Sequence, residues 1–129
     1  FSKKISSPKE AGESGYRLSL ELPEGGRIDI GGYKVTRIGN RICTDRSDVF
    51  TGHEAWRMEA ATPEIKEGNH LDIYVDRNLI EIYVNHGEYV LSSVVYDLGM
   101  EIRSEAVETL EIYTVDSNRE SKGGQMMCD

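Results

Sequence analysis

The chain has 129 residues, 38% of them hydrophobic and 29% charged, which is enough apolar material for one core in a length that suits one domain. Its 15 basic and 23 acidic residues leave a net charge of -8, a field that repels phosphate backbones and anionic lipid and so argues against nucleic acid and membrane as partners. No run approaches the ~18–20 apolar residues that cross a bilayer, and Phe1-Ser2-Lys3-Lys4 lacks the apolar stretch of a secretion signal.

A first residue other than Met reads as the start of a piece cut from a longer protein. Residues 1–15, rich in Ser, Lys and Glu, read as a lead-in segment that only Phe1 and Ile5 can anchor. The pattern changes at Tyr16: Tyr16, Leu18, Leu20 and Leu22 alternate with Arg17, Ser19 and Glu21, the period of a half-buried strand. Pro23-Glu24-Gly25-Gly26 supplies a turn. Short strands follow over Arg27–Ile30, Tyr33–Ile38 and Arg41–Arg46, separated by Gly31-Gly32 and Gly39-Asn40, and residues 47–53 read as a loop. Residues 54–60 carry helix formers, but Trp56, Met58 and Ala60 alternate and Pro63 caps any helix at about two turns, so a strand is expected.

The clearest signal runs from Leu71 to Tyr96. Leu71, Ile73 and Val75 alternate with polar neighbours, Asp76-Arg77-Asn78 turns, Ile80, Ile82 and Val84 alternate again, Asn85-His86-Gly87-Glu88 turns, and Tyr89–Tyr96 forms a third strand. Strands over Gly99–Ile102 and Leu110–Val115 complete the set, while residues 117–129 have nothing to bury and read as a flexible tail. About nine short strands and no helical repeat predict an all-β chain, with an antiparallel two-sheet sandwich over residues 16–116. Cys43 and Cys128 are the only cysteines and the second lies in the tail, so no disulfide framework is expected. Reduced thiols, as in cytoplasm, are the preferred reading, and the location of the longer protein stays open.

Residues 71–96 resemble the C-terminal β-sandwich domain of glycoside hydrolase family 32, the invertases, levanases, inulinases and sucrose-6-phosphate hydrolases. Asp76-Arg77 is similar to the family's hydrophobic-Val-Asp-Arg stretch, Ile80-Glu81-Ile82-Tyr83 to its Val/Ile-Glu-Val/Ile-Phe strand, and Asn85-His86-Gly87 to its Asn-Asp-Gly turn. Thr44-Asp45-Arg46-Ser47 looks like the family's Leu-Asp-Arg-Ser stretch, and Tyr16–Leu20 like its opening strand. Tyr83 stands where Phe is usual, and His86 where an acidic turn residue is usual. The resemblance implies a concanavalin-like or jelly-roll-like sandwich that follows an N-terminal five-bladed propeller in the same chain. That propeller would hydrolyse β-fructofuranosyl linkages with retention. Its motifs, a Trp-Met/Leu-Asn-Asp-Pro stretch with the nucleophile, an Arg-Asp-Pro stretch and a Glu-Cys stretch with the general acid, do not occur here, so no catalytic residue is expected in this sequence.

A retaining glycosidase needs two carboxyls ~5–5.5 Å apart, one nucleophilic and one protonated. Asp76 and Glu81 flank one hairpin turn, but Asp76 suits a turn-stabilising role and Glu81 an outward position braced by Arg46 or Arg77. The alternative is sugar binding: Arg46, Asp76, Arg77 and Glu81 can chelate the vicinal hydroxyls of a fructosyl unit, and Tyr83, Tyr74 or Trp56 can stack on its ring. Sandwich modules of carbohydrate-binding module family 66, related to this domain, bind terminal fructose. Three readings therefore stand side by side: an accessory domain that stabilises a propeller and can assist homodimer formation, a fructoside-binding module, and an unrelated lectin-like or protein-interaction sandwich. His53, His70 and His86 are scattered along the chain without companion cysteines, so no zinc site is expected; Asp45, Asp48 and Glu54 lack the spacing of a calcium loop, and no glycine pair is followed by the helix and Lys of a phosphate loop. No cofactor is predicted.

Overall fold

The period-two alternation read from the sequence places side chains in two opposed sheets in the computed structural model, which describes residues 3–11, 15–52 and 57–115. The strands are β1 (Lys4–Ile5), β2 (Tyr16–Glu21), β3 (Arg27–Ile30), β4 (Tyr33–Ile38), β5 (Arg41–Asp45), β6 (Glu59–Ala61), β7 (His70–Asp76), β8 (Leu79–Val84), β9 (Tyr89–Val94), β10 (Ile102–Glu105) and β11 (Glu108–Thr114). Six of them form one antiparallel sheet in the order β1-β11-β2-β7-β8-β9, and five form the other in the order β10-β3-β4-β5-β6. Two short 3-10 turns, Pro8–Ala11 and Ser47–Val49, are the only helical segments among the described residues.

Leu18, Leu20, Leu71, Ile73, Ile80 and Ile82 from the six-stranded sheet and Ile28, Ile30, Tyr33, Val35 and Ile42 from the five-stranded sheet share one buried core. Burying each such aliphatic side chain contributes roughly 1.5–3 kcal/mol, so these inward rows hold the layers together. Tyr33 brings a hydroxyl into that core, where it lies 2.7 Å from the Ser93 hydroxyl of the opposite sheet. A buried phenol is tolerated because its O–H finds a partner.

Three expectations change. The lead-in carries a strand of its own: β1 pairs with β11, Lys4 opposite Tyr113 and Ile5 opposite Ile112, and Pro8 and Ala11 are buried. Two residues are too few to show a period. The strand expected at Gly99–Ile102 lies at Ile102–Glu105, an edge position whose side chains are largely exposed on both faces and so show no alternation. Within the predicted loop at 47–53, a 3-10 turn over Ser47–Val49 turns Val49 and the following Phe50 into buried positions. Of the strand expected over residues 54–60, only the end falls in β6, which begins at Glu59 and leaves Arg57 and Met58 outside it, whereas residues 53–56, including Trp56 and His53, lie outside the described residues, as do Cys128 and the tail at 117–129.

Tyr16 packs at the end of the core, and burial pushes its hydroxyl from 10.0 up to about 12. The folded state therefore holds the proton more tightly than the unfolded chain. The resulting stability is complete below pH ~10 and is lost as pH rises towards 12, by about 2–3 kcal/mol for a shift of this size. Urea unfolding at pH 8 and pH 11.5 checks this, with the Tyr16→Phe variant losing less than the parent chain over the same interval.

Candidate functional site

Residues that alternate with the core rows stand on the outer face of the six-stranded sheet, and the strand register lines them up in ranks. One rank runs Tyr113, Arg17, Tyr74, Glu81, Ser92, and the next runs Glu111, Ser19, Asp72, Tyr83, Val90. Below them Glu21 stands opposite His70.

Arg17 Nη1 lies 3.1 Å from Asp72 Oδ1, and both side chains are mostly covered, 23% and 15% exposed. That pair is less screened than a surface ion pair. The Arg17 guanidinium also lies 4.4 Å from the centre of the Tyr113 ring, and the Tyr113 hydroxyl donates to Glu111 Oε1 at 2.6 Å. Tyr74 and Tyr83 meet edge to face with ring centres 5.6 Å apart. Partial burial raises the Tyr83 pKa first, followed by the neighbouring Glu81 charge, Tyr74 and a hydrogen bond to Glu81.

At the lower end of this face His70 stands between two carboxylates. Its Nδ1 is 3.2 Å from Glu21 Oε2, and its Nε2 is 3.1 Å from Asp72 Oδ2. His86, in the turn between β8 and β9, stacks on His70 with ring centres 4.5 Å apart and planes 18° apart.

The residues singled out from the sequence fall in three places. Glu81 and Tyr83 share the outer face of β8, beside Tyr74. Asp76 ends β7 and Arg77 follows in the hairpin tip, where Arg77 lines a hollow of about 300 Å³ with Pro8, Tyr16, Leu98 and Met100. Arg46 lies across the sandwich edge: it donates to the Arg57 carbonyl from Nε and Nη2 at 2.9 and 2.7 Å and to the Val94 carbonyl at 2.8 Å, and it sits over the Phe50 ring. The arginine that braces a carboxylate on the outer face is Arg17, and the carboxylate is Asp72.

Arg17, Asp72, His70 and His86 were not grouped by the sequence because 55 residues separate Arg17 from Asp72. One signal was available for the histidines. The two-residue turn at Arg77-Asn78 sets Asp76 opposite Leu79, and counting back in register puts Leu71 opposite Val84, so His70 falls level with Asn85 and one residue from His86.

This face offers paired guanidinium and carboxylate groups beside aromatic edges, a surface suited to recognising hydroxyls or another protein. It is poorly suited to acid catalysis at Glu111, whose carboxyl is held below the usual range by the Tyr113 hydrogen bond and by Lys4. Exposed apolar side chains gather at the neighbouring edge. Leu79, Val90, Val94 and Tyr96 are 41–49% exposed, Leu79 stands opposite Val94, and Tyr96 stacks on Phe50 at 5.1 Å.

A family model described as glycosyl hydrolases family 32 C terminal matches residues 25–121. Among solved structures the chain is similar in fold to a sucrose-6-phosphate hydrolase from Lactobacillus gasseri, with a TM-score of 0.67 and 20% sequence identity. That similarity covers 89% of this chain and 27% of the hydrolase chain, so the chain spans about a quarter of its length. No curated protein sequence matches. With the two antiparallel sheets in place and most of its length matched, the chain belongs to the glycosyl hydrolase family 32 C-terminal family.

Proposed function

We propose that the chain is the non-catalytic C-terminal sandwich of a β-fructofuranosidase-type glycoside hydrolase, packed against an N-terminal catalytic propeller that it stabilises. The family match over residues 25–121 carries this reading, since family members typically place a catalytic propeller before this domain. The apolar edge formed by Leu79, Val90, Val94 and Tyr96 is the contact we assign to that propeller. Such side chains gain by leaving water against a partner, and β9, as the last strand of its sheet, is open to a neighbour on one side. The parent enzyme would act on sucrose, sucrose-6-phosphate or a fructan.

A second reading, fructoside binding on the outer face, is favoured by Tyr74, Tyr83 and Glu81 standing together beside the Arg17–Asp72 pair. One experiment separates the two. The chain is added to the catalytic domain of its parent enzyme, and both thermal inactivation and the heat of titration with levan are followed. Protection without levan binding supports the first reading. Saturable levan binding lost in Glu81→Ala supports the second, and neither effect would sink both.

A further inference from the structure

The lower corner of the outer face brings together two groups from β7 and one from the β8–β9 turn. His70 and Asp72 project from the same side of β7, two residues apart. His86 follows Asn85 in the β8–β9 turn, both with left-handed backbone at φ 62 and 49, and the turn folds its ring back over His70. One ligand atom from each of His70, Asp72 and His86 lies within 4.8 Å of the others.

Asp72 Oδ2 stands 3.1 Å from His70 Nε2 and 3.9 Å from His86 Nδ1. Ligands held tetrahedrally at ~2.0–2.1 Å from zinc stand roughly 3.3 Å apart, between those two separations. The rest of the corner prepares these atoms. Arg17 occupies Asp72 Oδ1, which leaves Oδ2 facing the imidazoles. Glu21 lies behind His70 Nδ1, where a carboxylate accepting that N–H fixes the tautomer whose Nε2 lone pair points to Oδ2. The 3.1 Å contact between His70 Nε2 and Asp72 Oδ2 is a hydrogen bond in the Nε2–H tautomer, and in the Nδ1–H tautomer a cation takes the place of that proton. The His86 side chain is 76% exposed, so its ring can turn about its own side-chain bonds to aim Nδ1 without moving the strand.

The geometry points to a site for one divalent late transition ion, with zinc as its representative, held by His70 Nε2, Asp72 Oδ2 and His86 Nδ1, and with the remaining coordination position open to water. Two imidazoles and one carboxylate select this class over magnesium and calcium, which favour oxygen ligands alone. The Arg17 charge beside Asp72 opposes the ion and keeps the affinity moderate. A bound ion ties the start of β7 to the β8–β9 turn.

The test is calorimetric titration of the metal-free 129-residue chain with zinc chloride, and with magnesium chloride for comparison. One equivalent of zinc and no magnesium are expected to bind. His86→Asn keeps a residue that tolerates left-handed backbone and removes the imidazole, so its melting temperature in EDTA should equal that of the parent chain while zinc affinity falls by at least about tenfold. Glu21→Gln, which leaves all three ligands in place, should weaken zinc by about 10–100-fold. Absence of zinc binding, equal binding of magnesium, or zinc affinity unchanged in His86→Asn would each overturn the proposal.

Discussion

Gly31→Ala should unfold the sandwich or destabilise it by about 3 kcal/mol or more, because two penalties act at one atom. The backbone of Gly31 is left-handed at φ +58, and a Cβ built there stands 2.6 Å from the Gly99 nitrogen and 2.7 Å from its carbonyl carbon, with the Gly99 oxygen closer still. These are main-chain atoms and cannot step aside like the end of a flexible side chain. They are also pinned: the Gly99 N–H donates to the Gly31 carbonyl at 2.9 Å, and the Gly31 N–H donates to the Glu101 carbonyl at 2.7 Å. The β3–β4 turn thus docks on the segment that leads into β10, and pushing the two apart would strip β10 from the sheet edge. Gly39→Ala is the control. Gly39 has nearly the same conformation, φ +60, with nothing within 4 Å of the added carbon, so only the left-handed strain of ~1–2 kcal/mol should appear. In urea the midpoint for Gly31→Ala should fall by more than about 1 M, on a slope typical of small domains.

Arg37→Met is the second large effect, with an expected loss of about 2–4 kcal/mol. Arg37 points inward at the end of β4 and is only 8% exposed. Its guanidinium donates to the Leu22 carbonyl at 3.2 Å, the Gly39 carbonyl at 2.8 Å and the Asn69 side-chain oxygen at 2.6 Å, with longer bonds to the Gly68 carbonyl and the Asn40 side chain. One side chain therefore joins the end of β2, the β4–β5 turn and the approach to β7. Methionine fills much of the space but leaves those acceptors without donors in a place water reaches poorly. Arg37→Lys should recover only part of the loss, since an ammonium group cannot span acceptors arranged around a planar fork. Chemical denaturation of the three proteins gives the ordering directly.

How much of this was legible in the sequence depends on whether a feature is local. The alternation Tyr16–Leu22 and Leu71–Val84 was readable because each strand has one wet and one dry face over several residues, and the structure buries those apolar positions. β1 and β10 leave no such signal, because a two-residue strand and an exposed edge strand carry no period. Arg37 could be read as part of a strand but not as a buried hub, because its acceptors come from residues 22, 39, 40, 68 and 69. The outer face depends on the same distant pairing. Arg17 reaches Asp72 only when β2 lies beside β7, and nothing local to either strand announces it. Shared chemistry alone groups Arg46 with Glu81 in the sequence, whereas the fold of residues 46–50 lays its guanidinium on Phe50 and against two carbonyls. Glu81 and Tyr83 share a face as period-two spacing requires, and their assignment to a fructoside belongs to the proposal above.

The proposed role, service to a catalytic domain with no hydrolysis by the sandwich itself, is checked by assaying fructose release from sucrose and inulin by the purified chain, and by measuring the thermal half-life of its parent's catalytic domain with and without the chain. No release by the chain alone and a several-fold longer half-life of the catalytic domain in its presence are expected. Turnover by the isolated chain, or a half-life that the chain leaves unchanged, would contradict it.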